Sequence, residues 1–278
     1  MLIVMTTYAM NDVGLGIDVG GTGVKAALVE LAGGELLTGR VKLLTPDPAT
    51  PEAVIATIRE VVEMVDAEQA LPSDLPIGCG LPGPIKAGRL MSAANLDRGW
   101  VGAAAEELVG EALGRRVRAI NDADAAGVAE MALGTGRGEM GTVLLLTLGT
   151  GIGSALFHGG RLLPNTEFGH IQFMGRDAET LVGGAARKRR RLGWAAWARE
   201  FNEYLGQLED YLWPDLIILG GGVSKSMEKY GELLESRAPI VAAQFLNTAG
   251  IIGAAMAAAQ AEGRAVDHAA RPGPDDAG

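Results

Sequence analysis

Asp18-Val-Gly-Gly-Thr-Gly-Val-Lys25 links two apolar runs through a turn that holds three glycines. Glycine lets a backbone come close to an oxygen-rich group, and Thr22 and Lys25 add side-chain donors to the amides of Gly20, Gly21 and Gly23. Asp18 is a candidate for the metal or phosphate side of such a site. A strand rather than a helix follows, so the stretch departs from the dinucleotide-binding fingerprint. Taken alone it also reads as a plain hairpin turn. Around it, Val13–Val19, Val24–Leu31 and Glu35–Leu44 predict three short strands, an antiparallel opening.

The pattern begins again at Leu148-Gly-Thr-Gly-Ile-Gly153. Thr142–Leu148, Gly153–His158 and Gly160–Leu163 read as a second series of strands. Two such turns in equivalent places favour a phosphate clamp, with Thr147, Gly149, Thr150 and Gly151 on the second side. Between and after the two openings lie helical and buried-strand signals. Pro51–Val65 predicts a helix capped by Thr50 with Pro51 at its first position. Ile77–Gly80 and Val117–Ile120 predict buried strands, with a helix at Ala103–Leu113 between them. Trp194, Trp197, Phe201, Tyr204, Leu205, Leu208, Tyr211 and Leu212 keep the spacing of a long amphipathic helix. Leu216–Leu219 predicts a strand, and Thr248–Gln260 a close-packing helix of small residues. The expected plan is a duplicated α/β fold with a cleft between its halves. Residues 12–120 with 248–262 would form one lobe and 121–247 the other, with 1–11 and 263–278 as flexible tails.

Bulk properties narrow the functions. With 41 glycines, the chain needs many tight turns or close approaches. A net charge of −10 repels polyanions overall, so an anionic substrate needs local donors. One cysteine, Cys79, excludes an intramolecular disulfide, and with three histidines it cannot assemble a cysteine-rich zinc cluster. No apolar run reaches a membrane span, and Met1–Met5 is too short for a signal peptide, so a cytoplasmic location is expected.

Further stretches carry chemistry. Gly220-Gly-Gly-Val-Ser224 lies between a strand and a helix, which makes Gly221 and Gly222 donor-binding candidates or a tight strand–helix turn. Asn121-Asp122 follows a strand and opens the helix Ala123–Met131. Asp122 is placed as a general base would be, and equally as a helix N-cap. Asp124 reads as a surface residue. Glu167-Phe-Gly-His170 pairs an acceptor with a donor suited to a vicinal diol, though His170 also fits a metal or a core position. Asn95 reads as a turn residue or a hydroxyl ligand. Arg187-Lys188-Arg189-Arg190-Arg191 gathers five of the 24 basic residues. It reads as a solvated face, as a track for successive phosphates, or, with less support, as a nucleic-acid contact lacking any recognition module.

Together these blocks resemble the ROK group of sugar kinases, within the two-lobed actin and hexokinase-like, ribonuclease H-like fold. The resemblance runs from about Leu15 to Gln260 and includes Asn121-Asp-Ala-Asp-Ala-Ala-Gly127. It implies that Asp122 deprotonates the sugar 6-hydroxyl and that Asn121, Glu167 and His170 hold the hexose. Glu179 is implied as a further sugar ligand, and magnesium accompanies the donor; Asn95 is expected beside these residues in the hexose site. Zinc-binding members follow the histidine with three cysteines. Here Ile171-Gln-Phe-Met-Gly-Arg-Asp-Ala-Glu179 has none, so no zinc is expected. The zinc-free form is similar to polyphosphate glucokinases, as are Ala93-Ala-Asn-Leu-Asp-Arg-Gly-Trp100 and Leu163-Pro-Asn-Thr-Glu-Phe-Gly-His170. Expected partners are glucose, inorganic polyphosphate with ATP or GTP, and a second copy of the chain. The rivals are an ATP-only hexokinase and a sugar-sensing repressor; only 13 residues precede Gly14, which leaves the latter little room for a DNA-binding module.

Overall fold

The computed structural model describes residues 12–264. It opens with β1 (Val13–Gly20), β2 (Gly23–Glu30) and β3 (Val41–Leu43), followed by α1 (Pro51–Glu68) and β4 (Ile77–Leu81). A small ribbon, β5 (Ile85–Lys86) and β6 (Arg89–Leu90), precedes α2 (Ala105–Leu113), β7 (Arg118–Asn121) and α3 (Asp122–Ala132). The second series is β8 (Thr142–Leu148), β9 (Ile152–His158) and β10 (Arg161–Leu163), then the ribbon β11 (Gln172–Phe173) and β12 (Arg176–Asp177). Helices α4 (Ala178–Val182), α5 (Gly184–Arg189) and α6 (Trp194–Leu212) lead to β13 (Leu216–Gly220), α7 (Gly221–Ser224), β14 (Ile240–Ala242) and α8 (Ala249–Ala261).

The two large sheets share one topology. Their strand orders are β3-β2-β1-β4-β7 and β10-β9-β8-β13-β14. In each, three antiparallel strands continue into two parallel ones. The duplicated plan read from the two glycine turns is therefore present. Glu35–Leu44 does not form one strand: only 41–43 pair with β2, beyond a lone bridge between Val29 and Leu36. The buried Thr38 hydroxyl takes the Leu28 N–H, which replaces a ladder bond there.

Apolar alternation fixes the layers. Leu15, Ile17 and Val19 face α1 and α2 in the core of the first half. Helix α1 supplies Val54, Ile58, Val61 and Val65 at helical spacing, and the Thr50 hydroxyl accepts the Ala53 N–H as its cap. In the second half Leu144, Leu146 and Leu148 face Trp197, Phe201 and Leu205 of α6. Tyr211, expected on that buried stripe, is exposed near the end of the helix. Helices α3 and α8 lie between the sheets, packed on Ala27 and Val29 from one and on Val143 and Leu145 from the other.

This central layer explains the small residues of α8. A Cβ on Gly16 would sit 1.9 Å from the Ile251 carbonyl oxygen, and one on Gly253 would sit 1.6 Å from that of Ala125. No rotamer change relieves a clash with backbone, so these positions admit only glycine at this spacing. Gly263 and Arg264, expected in a flexible tail, are held: Arg264 donates to the Asp74 carbonyl and pairs with Glu262. The rest of the expected tails, 1–11 and 265–278, lies outside the described residues.

Candidate active site

Strand β7 ends where α3 begins, and that junction sets the Asn121-Asp122 pair. The Asn121 Oδ1 accepts the N–H groups of Ala123 (2.9 Å) and Asp124 (3.0 Å), so Asn121 is the cap. Asp122 is freed from capping and lines a cavity of about 420 Å³. Burial first, and then the charge of Asp18, push its carboxyl up to about 7; Glu167 adds to this, while the Ala123 N–H and Lys25 oppose it. A carboxyl poised there can take a proton near neutral pH.

Asp124 is not a surface residue. It is 1% exposed, and burial raises its carboxyl to about 7. Its Oδ2 accepts the Asn165 N–H at 2.7 Å, while its Oδ1 has no partner among the described residues. Asn165, in the left-handed region at φ 65°, reaches across to the first half. There its side chain accepts the Ile85 N–H (2.6 Å) and donates to the Ile85 carbonyl (3.0 Å). Ser154 holds the same segment by donating to the Thr166 carbonyl and accepting the Phe168 N–H. These bonds fix the backbone on both sides of Glu167.

Glu167, His170 and Glu179 meet on one side of the cavity. The Asn121 Nδ2 donates to Glu167 Oε1 at 3.3 Å, and His170 Nε2 lies 3.8 Å from Glu167 Oε2. The other ring nitrogen of His170 is 3.3 Å from Asp177. Burial raises the Glu167 carboxyl, against the pull of His170. Glu179 accepts the Ile152 N–H at 3.2 Å and packs on the second glycine turn. A Cβ on Gly151 would lie 2.0 Å from its Oε2, so the glycine makes room for the carboxylate. Asn95 lies over the first turn, 3.2 Å from where a Gly21 Cβ would stand, and also lines the cavity.

The two hairpins build the rest of the lining. Gly20 and Gly23 pair to close β1 and β2, leaving Gly21 and Thr22 exposed at the tip. The second hairpin closes at Leu148 and Ile152 around Gly149, Thr150 and Gly151. Asp18, Gly20, Gly21, Thr22, Lys25, Thr147, Gly149, Thr150, Gly151 and Gly221 all line the cavity. Asp18 and Lys25 are direct cross-strand partners joined by a 2.6 Å ion pair. Gly23 and Gly222 do not line the cavity. Gly23 instead accommodates Lys42, whose Cε would lie 2.5 Å from a Cβ there.

The basic run 187–191 does not reach this cavity and is not one free array. The Arg187 guanidinium stacks 3.8 Å from the Trp194 ring centroid and donates to the Leu192 carbonyl. Arg189 donates to the Thr180 carbonyl. Arg190 binds Glu200 through two nitrogens and also donates to Leu181. Intrachain partners thus organise three of its five cations. Sequence reasoning missed Arg40, Lys42, Asn247 and the fully buried Glu130, all of which line the cavity. Glu130 accepts the N–H groups of Gln244 and Phe245 and so anchors the approach to α8. The only sequence signal for Arg40 and Lys42 was their alternation with Val41 and Leu43.

Comparison with known proteins agrees with this architecture. The ROK family model matches residues 14–188. A polyphosphate glucokinase of Mycobacterium tuberculosis is 46% identical over 245 residues, which is 88% of this chain and 90% of the relative. A solved inorganic polyphosphate/ATP-glucomannokinase from Arthrobacter sp. strain KM superposes with a TM-score of 0.87 at 44% identity, covering 90% of this chain and 99% of that one. A ROK glucokinase from Streptomyces griseus, solved with glucose and AMPPNP, gives a TM-score of 0.75 at 25% identity over 89% and 99% of the two chains. The fold is thus the actin/hexokinase-like fold of the ROK sugar kinases. The glycine hairpins, the Asn121-Asp122 junction and these relatives lead to one assignment: the chain belongs to the ROK family.

Proposed function

We propose that this chain is a glucose kinase that transfers a phosphoryl group from inorganic polyphosphate, and also from ATP or GTP, to the glucose 6-hydroxyl. One observation carries the reading. Asp122, with its carboxyl near 7, stands in a single cavity between the Asn121–Glu167–His170 cluster and the two glycine hairpins. The mycobacterial and Arthrobacter relatives, named for polyphosphate, support the choice of donor.

In this mechanism Asn95, Asn121, Glu167, His170 and Glu179 hold the hexose hydroxyls. Asp122 accepts the 6-hydroxyl proton as that oxygen attacks the terminal phosphorus, whose bond to the bridging oxygen breaks and releases the shortened polyphosphate or the nucleoside diphosphate. Amides of Gly20, Gly21 and Thr22, and of Gly149–Gly151, bind the donor oxygens on which charge develops. Lys25 and Thr22 add donors on the same side, with Thr147 and Gly221 flanking the second hairpin. Glu167 and His170 fix the sugar so that the attacking oxygen starts in line.

The residues present fit a magnesium ion shared with the donor. Asp18 lines the cavity, and a Cβ at Gly250 would come within 3.2 Å of its carboxyl carbon, so the glycine keeps that carboxylate clear. Magnesium favours one or two carboxylates together with substrate phosphates and water. Asp18 would hold it, and the ion would supply charge neutralisation on the phosphate oxygens.

The same reading places the cleft between lobes 12–120 with 248–262 and 121–247, and includes a homodimer and a cytoplasmic location. Glucose 6-phosphate formation, measured with polyphosphate and ATP side by side at equal phosphate concentration, tests the central claim. Turnover with both donors is expected. No turnover with polyphosphate overturns the donor assignment, and none with either donor overturns the kinase. Light scattering checks the dimer.

A further inference from the structure

We propose that Arg40 and Lys42, rather than the 187–191 run, carry the distal phosphates of the polyphosphate donor, an inference that rests on the donor reading above. Both side chains are exposed, and both line the cavity that contains Asp122. Lys42 sits directly opposite Lys25 in the β2–β3 ladder, and Lys25 directly opposite Asp18 in the β1–β2 ladder. Cross-strand partners share a face, so Asp18, Lys25 and Lys42 form one row towards the cleft. Asp18 neutralises Lys25. Lys42 has no ion-pair or hydrogen-bond partner among the described residues, and Arg40 makes one long bond, 3.4 Å, to the Asn247 carbonyl.

Like charges directly opposite in a ladder destabilise it. Here Asp18 offsets Lys25, and the Lys42 charge stays uncompensated in a chain of net charge −10. The arrangement leaves cationic donors free in a cavity where an anion would relieve the repulsion. Val41 and Leu43, alternating with Arg40 and Lys42, pack on the core of the first half and so fix which face the cations take. Gly23 keeps the stem of Lys42 against the first hairpin. The cations therefore adjoin the turn that would bind the terminal phosphate, whereas Arg187, Arg189 and Arg190 are held by their own chain. A polyphosphate chain leaving the hairpin would run past Arg40 and Lys42. A nucleotide, with its short phosphate chain and neutral base, would use them less.

The test compares wild type with Arg40→Ala, Lys42→Ala and the double variant, alongside a second set with Lys188→Ala, Arg189→Ala and Arg191→Ala combined. Michaelis constants are measured for long-chain polyphosphate, tripolyphosphate and ATP at saturating glucose, and polyphosphate binding is measured separately by titration without glucose. Each cation removed from the first set should raise KM for long-chain polyphosphate about tenfold, with a smaller rise for tripolyphosphate and the smallest for ATP. Lys42→Arg should restore most of the loss. The salt dependence of polyphosphate binding should flatten in the double variant, because fewer counterions are displaced. Equal loss for all three donors, unchanged polyphosphate affinity in the double variant, or a larger loss in the second set each overturns the assignment. Titration keeps the two readings apart. A wild type that binds polyphosphate through these cations but does not phosphorylate glucose overturns the kinase reading alone.

Discussion

The hairpin tip at Gly20–Gly23 is bordered by Lys25, Lys42 and Arg40, and its counterpart at Gly149–Gly151 is bordered by Glu179, Glu167 and His170. Topology makes the two turns equivalent, since each closes the first antiparallel pair of a five-stranded sheet. The side chains around them make them opposites. A repeated backbone supplies two sets of amides, and the unrepeated neighbours divide the cleft into a cationic rim and an acidic pocket. Asp122 stands at the boundary. Donor phosphates would meet the amides of both turns, with extra cations only at the first, while hydroxyl recognition belongs with the acidic residues beside the second.

The comparison breaks most completely if Asp122 can be spared. Asp122→Asn should lower kcat by about 10²–10⁴, the usual range for a general base, with glucose affinity changed little. Near-wild-type turnover would mean that no carboxylate at the boundary is needed. Next in size is the acidic pocket. Glu167→Gln removes a charge-assisted acceptor and should raise KM for glucose about tenfold, with donor KM little altered. A matching rise in the donor constant would erase the division between the two sides.

A smaller effect sharpens the boundary itself. Asp122 acts as a base only when ionised, so kcat/KM should climb about tenfold per pH unit below neutrality and level off above about 7. The charge of Asp18 is the second cause of that raised value. Asp18→Asn should therefore move the midpoint of the profile to lower pH. A midpoint that stays fixed would remove Asp18 from the electrostatics of the base.

Much of this was legible in the sequence because it depends on local rules. Apolar alternation around glycine turns gives β1–β2 and β8–β9, and Thr50-Pro51 marks the start of α1. The unread parts depend on distant partners. Asp124 looks like a surface acid beside Asp122, yet α3 is wrapped by both sheets and α8, and Asn165, far along the chain, supplies its N–H. Glu35–Leu44 has strand-like residues, but the Thr38 hydroxyl takes a bond that the ladder would have used. The basic run drew attention by its density. Its Arg187 and Arg190 are committed to Trp194 and Glu200, contacts that only α6 packing creates. Arg40 and Lys42 were too sparse to stand out and gain meaning only from the register that sets Lys42 against Lys25.

The smallest predicted effect concerns stability, and it comes from the same raised carboxyl. Asp122 binds its proton more tightly when folded, with its carboxyl pushed up to about 7 from the 3.8 of an unperturbed carboxyl. Between those limits the folded state holds more protons than the unfolded one, so stability falls as pH rises through that window. Above about 7 the full penalty of an ionised, buried carboxylate is present. Asp122→Asn removes the charge and retains the shape, so it should be more stable than wild type at pH 8, by about 2–4 °C in Tm for each kcal/mol relieved. The difference should shrink towards pH 4, where both side chains are neutral. A Tm gap independent of pH would show that the carboxylate carries no such strain, and the pocket would then need another reason for its activity near neutrality. A gap that opens with pH would mean that the base is held in place against a cost in stability, as is common where activity demands a buried charge.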